Sequence, residues 1–196
     1  ALIGGDTTRS DRDITINVTA IGRAPADRLK RRSTALPGDT IFVTGELGAS
    51  GAGLRDILAG RYDTPLASVH RNPQPQVDEG QWLGGRAEVH AMMDLSDGLA
   101  SDIRRIMEQS GRGAAIDLER IPVAAGADLQ TAACGGEDYK LLFTAAPEAA
   151  ERLAADWSAR FGTPLYPVGR IEPVDRLRWL RHGSETDLDW RGFEHY

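Results

Sequence analysis

One heptapeptide limits the folds open to this chain more than any other stretch: Met93-Asp94-Leu95-Ser96-Asp97-Gly98-Leu99. An apolar run, Ala91-Met92-Met93, leads into it. A helical pattern leads out, with Leu99, Ile103 and Ile106 recurring on one face and Gly111 as a stop signal. A strand therefore gives way to a helix within a few residues, and the two acids sit where the change occurs. Helix-start N–H groups attract anions, and Asp94 and Asp97 can hold Mg2+, which takes few protein carboxylates and completes its shell from water and phosphate. Ser96 can donate to a phosphate oxygen. The same residues also suit a plainer role, with Ser96 or Asp97 simply capping the helix.

The rest of the chain repeats the alternation of strand and helix, so the expected class is mixed α/β (α+β). Strands are expected at Ile14–Ala20, Thr40–Thr44, Ile116–Ile121, Lys140–Thr144, Tyr166–Ile171 and Arg176–Arg181. Helices are expected after the Gly-rich run 45–53, over Val77–Val89, and from Pro147 to a stop at Gly162. Pro65 to Pro75 reads as a loop. At 196 residues the chain can bury a sizeable core. A net charge of −6 argues against a nucleic-acid or anionic-membrane surface, and no apolar run is long enough to span a bilayer. The single cysteine, Cys134, cannot form an internal disulfide; it reads as a small packing residue and fits a reducing, cytoplasmic setting.

Four more stretches carry chemical signals, each with a plain alternative. Gly4-Gly5-Asp6 offers close backbone approach and a third acid, or an ordinary turn. Arg28, Lys30, Arg31 and Arg32 form a solvated basic face, or lend one cation to a phosphate. Gly135-Gly136-Glu137-Asp138-Tyr139 is a tight turn, or a grip on a polar substrate. The aromatic-dense end, Trp190 to Tyr196, plugs the core or covers a planar ligand. The histidines lack zinc-ligand spacing.

Taken in order, Gly4-Gly5-Asp6-Thr7-Thr8, Val43-Thr44-Gly45 with Leu47-Gly48 and Ala52-Gly53-Leu54, Asp94 to Leu99, Gly135 to Tyr139, and Gly192-Phe193-Glu194-His195-Tyr196 resemble thiamine-monophosphate kinases. Those belong to a superfamily with aminoimidazole ribonucleotide synthetase. The resemblance implies a two-domain fold of that type, with the N-terminal domain present only as its last part. Residues 1–22 would be its remnant, 23–36 a connector, and 37–196 the C-terminal α+β domain. It implies transfer of the γ-phosphoryl group of ATP to thiamine monophosphate, with several Mg2+ ions, in a homodimer formed through the N-terminal domains. Carried over by residue, Asp6, Asp94 and Asp97 would be Mg2+ ligands and the catalytic acids. Gly5, Asp6, Arg32 and Ser96 would touch ATP. Glu137 or Asp138, with Phe193, would touch thiamine monophosphate. The expectation most exposed to test is that Asp6, Asp94 and Asp97 converge in space. Two other readings stand beside the kinase: an inactive nucleotide- or phosphate-binding module, and another ATP-using synthetase of the same superfamily.

Overall fold

A computed structural model describes residues 3–192. The ordered body begins at β1 (Thr40–Val43) and continues through α1 (Ala49–Leu58), α2 (Pro65–Arg71), α3 (Val77–Gly84), β2 (Val89–Asp94) and α4 (Leu99–Ser110). It goes on with β3 (Gly113–Asp117), α5 (Leu129–Cys134), β4 (Leu141–Ala145), α6 (Ala150–Phe161), β5 (Tyr166–Glu172), β6 (Leu177–Arg181) and β7 (Ser184–Thr186). The seven strands form one sheet in the order β2-β4-β1-β5-β3-β6-β7. All neighbours are antiparallel except β3 and β6.

Side chains on successive strand residues point to opposite faces, and this sheet buries both. Ile41 and Val43 of β1 and Leu142 of β4 pack into a core shared with Leu99, Ile103 and Ile106 of α4. Phe42 and Phe143, one residue along, face a second core with Leu83 of α3 and Leu153 and Trp157 of α6. The two phenylalanines stack across the strand pair with ring centroids 5.1 Å apart. The result is three layers, with helices over both faces of the sheet. Helices α4 and α6 end at Gly111 and Gly162 as the sequence predicts.

The structure corrects five sequence expectations. The strand expected at Ile116–Ile121 lies earlier, as β3, and Leu118–Arg120 is a 3-10 turn whose start the Asp117 carboxylate holds by accepting the Glu119 N–H at 3.3 Å. Helix α1 starts at Ala49, inside the Gly-rich run rather than after it. Residues 14–20 form no strand, and Ile14, Ile16 and Val18 are 91%, 81% and 84% exposed. Alternation alone does not hold a strand whose backbone groups have no neighbouring strand to pair with. The stretch from Pro65 is not all loop. Pro65 takes the first position of α2, where its missing N–H costs nothing, and the Thr64 hydroxyl accepts the Ala67 N–H at 3.0 Å. The helix from Val77 stops at Gly84, and the chain re-enters the sheet at Val89.

Residues 23–36 hold two short 3-10 turns, Ala26–Arg28 and Arg32–Thr34. This segment is tied to the body at several points. Lys30 Nζ donates to the Arg86 carbonyl at 2.7 Å, and the Ser110 hydroxyl donates to the Arg32 carbonyl at 2.7 Å. The Thr34 hydroxyl donates to the His90 carbonyl at 2.6 Å. Those contacts bring Arg32 alongside the end of β2.

Candidate phosphoryl-transfer site

The site grows from two turns laced together. One runs from Asp94 to Gly98 between β2 and α4; the other runs from Gly135 to Lys140 between α5 and β4. The Leu95 N–H donates to the Lys140 carbonyl at 2.7 Å, and the Tyr139 N–H donates to the Leu95 carbonyl at 2.9 Å. The Glu137 N–H donates to the Ser96 carbonyl at 2.8 Å. Close approach demands glycine on both sides. A Cβ on Gly136 would lie 2.5 Å from the Ser96 carbonyl oxygen. Gly98 has φ +98°, and a Cβ there would lie 2.8 Å from the Gly135 carbonyl oxygen. Glu137 and Tyr139 hold positive φ, at 66° and 48°. Such conformations are costly for residues with a Cβ and persist where the surroundings over-determine them, often at functional sites.

The acids are arranged by charge. The Asp97 carboxylate is 14% exposed, and its Oδ2 accepts from Arg105 Nη2 at 2.6 Å. Behind it lies Asp102, fully buried, whose Oδ2 accepts the Asp97 N–H at 3.0 Å. Among the described residues the nearest donor to the Asp102 Oδ1 is Arg105 Nε, an ion-pair partner 3.5 Å away. Burial, reinforced by the negative charge of Asp97 and Asp94, pushes the Asp102 carboxyl up from 3.8 to about 6. Asp94 is exposed at the end of β2. The fields of Asp94 and Asp97 both reach Tyr139, adding to the burial that raises its phenol. Asp94 and Asp97 are oxygen donors of the type a hard divalent cation takes, with the Arg105 guanidinium already bonded to Asp97.

Two hollows border the acidic turn. One, of about 500 Å³, is lined by Asp94, Lys30, Arg31 and Arg32. The other, of about 610 Å³, is lined by Ser96, Asp97, Glu137, Ser50, His70 and Arg191, among others. A third cavity, about 490 Å³, also touches Glu137 and is lined by Trp157, Phe161 and Tyr166; neither acid of the turn reaches it.

The structure thus groups Asp94 with Arg32, and Asp97 with Ser96 and Glu137. It does not group all the residues singled out from sequence. Gly5 and Asp6 lie in the exposed segment before residue 23, and the Asp6 carboxylate accepts the N–H of its neighbour Thr7 at 2.8 Å. Among the described residues no three His, Cys, Asp or Glu side chains come together as a metal-holding group, so Asp6 does not converge with Asp94 and Asp97. Among the described residues the expected convergence is not found: residues 3–22 are exposed throughout. Asp138 turns inward: Oδ2 accepts the Gly48 N–H at 2.6 Å and Oδ1 the Ser50 N–H at 3.1 Å. It anchors the start of α1 and lines the 490 Å³ cavity with Glu137 rather than the 610 Å³ one. Burial raises its carboxyl above the ordinary value in spite of those donors. Phe193 lies outside the described residues.

Sequence reasoning missed Asp102, Arg105, Ser50 and His70. Asp102 did carry a signal, since helical spacing places it among Leu99, Ile103 and Ile106 on the buried face of α4. An acid on an apolar stripe calls for a reason. Nothing local marked the other three.

Residues 37–180 match the family model for the AIR synthase related protein, C-terminal domain. The whole chain is 38% identical to the thiamine-monophosphate kinase of Salmonella typhimurium, of which it covers 63%. The chain therefore spans a little under two thirds of the length of the curated relatives it matches. A solved thiamine-monophosphate kinase from Stenotrophomonas maltophilia superposes with a TM-score of 0.68 at 30% identity, over 80% of this chain and 54% of that one. A structure described as AaThiL complexed with AMPPCP and TMP superposes with a TM-score of 0.66 at 27% identity, over 84% and 53%.

Proposed function

This chain belongs to the AIR synthase related proteins, and from that premise we propose that it serves ATP-dependent phosphorylation of thiamine monophosphate to thiamine diphosphate. The observation that carries the reading is that one turn, Asp94 to Asp97, borders two hollows of different character. The basic hollow with Arg32 suits the polyphosphate of ATP, and the hollow with Ser96, Asp97 and Glu137 suits the acceptor. A relative described with both AMPPCP and TMP bound supports the pairing of these two ligand types.

The difficulty of the reaction is electrostatic. Donor and acceptor are both anions, and two unit charges about 4 Å apart repel by roughly 4 kcal/mol at an effective dielectric of about 20. Several such pairs would slow the meeting by many decades. Asp94 and Asp97 would hold Mg2+, whose charge would offset that repulsion and help keep the phosphates in line. The remaining work falls to this chain's own groups. Arg32 binds the donor phosphates, and the Ser96 hydroxyl, at the junction of the two hollows, donates to an oxygen of the ATP phosphoryl group that is transferred. Glu137, with Phe193, positions the organic part of the acceptor; Glu137 attracts its positive ring. Gly5 and Asp6 are assigned to ATP, and Asp6 also to Mg2+, by resemblance alone. A terminal phosphate is already largely deprotonated near neutral pH, its second pKa being about 6, so no general base is required. An acceptor oxygen attacks the γ-phosphorus directly, ADP departs, and no covalent enzyme intermediate forms.

The chain's division into a remnant of a first domain (1–22), a connector (23–36) and a C-terminal domain (37–196) is part of the same proposal. So are a homodimer and a cytoplasmic location; no described helix is long and apolar enough to cross a membrane. The test is incubation of the full-length protein with ATP, Mg2+ and thiamine monophosphate. Formation of thiamine diphosphate, with inversion at a chirally labelled γ-phosphorus, is expected. ATP use without that product would favour another synthetase of the superfamily, and absence of turnover a binding module.

A further inference from the structure

The 610 Å³ cavity has a second wall that the reaction as outlined does not use. It comes from α1 and α2, which lie in close contact: a Cβ on Gly53 of α1 would fall 2.1 Å from the Leu66 carbonyl oxygen of α2. Ser50, Leu54 and His70 line this wall, while Ser96, Asp97 and Glu137 line the same cavity from the two laced turns. His70 Nδ1 lies 2.8 Å from the Ser50 Oγ. Ser50 is fully buried, and its backbone N–H is already held by Asp138. The imidazole is thus tied through a buried hydroxyl to the segment that carries Glu137.

The burial of Ser50 favours one tautomer of the ring. If Nδ1 carried the proton, the serine O–H would need another acceptor inside the protein, and a buried hydroxyl left without one is costly. The favoured arrangement has the Ser50 O–H donating to Nδ1, which places the ring proton on Nε2. The nitrogen on the far side of the ring from Ser50 is then a donor. Ser50 itself is no nucleophile, because its oxygen is buried and engaged.

We propose that His70, oriented by Ser50, is a specificity residue for the acceptor, donating from Nε2–H to a hydrogen-bond acceptor on its organic part, such as a ring nitrogen of an aminopyrimidine. The assignment to the organic part follows from the lining: Leu54 and Gly51 accompany His70, whereas the groups suited to phosphoryl chemistry, Ser96 and Asp97, come from the turn. A site built to donate to a ring nitrogen rejects analogues that lack it, because its own donor is then left unpaired. This inference rests on the proposed phosphorylation of thiamine monophosphate and names a further contact in that same site.

The test compares His70→Asn, His70→Gln and Ser50→Ala in the full-length protein. A glutamine amide can place its N–H near the Nε2 position, whereas an asparagine amide reaches only the Nδ1 position beside Ser50. Expected for His70→Asn is a rise of tenfold or more in KM for thiamine monophosphate, with KM for ATP and the melting temperature unchanged. Expected for His70→Gln is recovery of most of that loss, and for Ser50→Ala a smaller rise in the same KM. Unchanged KM for the acceptor in His70→Asn, an equal rise in KM for ATP, or failure of glutamine to outperform asparagine would overturn the proposal. Wild-type protein that makes no thiamine diphosphate would instead overturn the underlying function, so the two failures are distinguishable.

Discussion

Two glycine–acid turns of this chain look alike in sequence and end differently in space. Gly4-Gly5-Asp6 sits in an exposed segment, where a Cβ on Gly5 would meet nothing within 4 Å. The Asp94–Gly98 turn is held by three backbone hydrogen bonds to the 135–140 turn, and there a Cβ on Gly136 would meet a carbonyl oxygen at 2.5 Å. The pairing of glycine with aspartate therefore does not by itself fix a turn. A second segment must press against the first, fix its backbone and concentrate its charges. Asp97 has Arg105 and Asp102 around it, whereas Asp6 has the N–H of its own neighbour.

The sharpest way to break this comparison is to add one methyl group to each turn. Gly136→Ala should destabilise the fold by about 2–3 kcal/mol, the upper part of the ~1–3 kcal/mol that overpacking against rigid backbone costs, because the neighbours it displaces are themselves strained. Gly5→Ala should change stability by less than about 0.5 kcal/mol. Chemical denaturation of both variants reads the difference, and similar costs would remove the distinction drawn here.

A second prediction concerns the buried acid. The folded-state value of Asp102 is raised to about 6 from 3.8. Above pH 6 its ionised form costs stability; as pH falls through 6 toward 3.8 the folded chain takes up the proton first and the cost disappears. In Mg2+-free buffer, Asp102→Asn should therefore raise stability by about 1–3 kcal/mol at pH 8, with the gain fading toward pH 4. A pH-independent effect would show that burial is not what sets this carboxyl.

The comparison also explains what was legible in the sequence. Strands β1, β4, β5 and β6 and helices α4 and α6 followed from periodicity and stop signals, because their apolar faces are their own local property. Helix α2 was hidden by three prolines, although Pro65 at its first position is a helix-start residue. The expected strand at 14–20 had the right alternation and, among the described residues, no partner strand. In the site, Asp94, Ser96, Asp97 and Glu137 stood out as motif residues. The inward turn of Asp138 did not, because its partner Gly48 is 90 residues away. Arg105 and His70 were invisible for the same reason: their roles exist only once distant segments meet.

A third prediction uses the exposed segment itself. Ile16→Ser should leave the stability of this chain within about 0.5 kcal/mol of the parent, because Ile16 is 81% exposed. A larger loss on thermal melting would mean that residues 14–20 are held by contacts after all. The smallest expected effect is chemical. Burial raises the Cys134 thiol above its ordinary 9.0, so little thiolate exists at neutral pH. Alkylation by iodoacetamide should be slower than for a free cysteine at pH 8 and should rise steeply only above pH 9. Because Cys134 lines the 610 Å³ cavity, thiamine monophosphate should slow it further. Fast alkylation indifferent to that ligand would place the acceptor elsewhere.

The central claim is that the turn from Asp94 to Asp97 is where phosphoryl transfer takes place. Its most direct test is the rate of thiamine diphosphate formation across a Mg2+ titration for the full-length protein, Asp94→Asn and Asp97→Asn. Each variant should lose turnover by at least a hundredfold and need more Mg2+ to reach what remains, while melting like the parent. Parental rate and Mg2+ dependence in either variant would contradict the account.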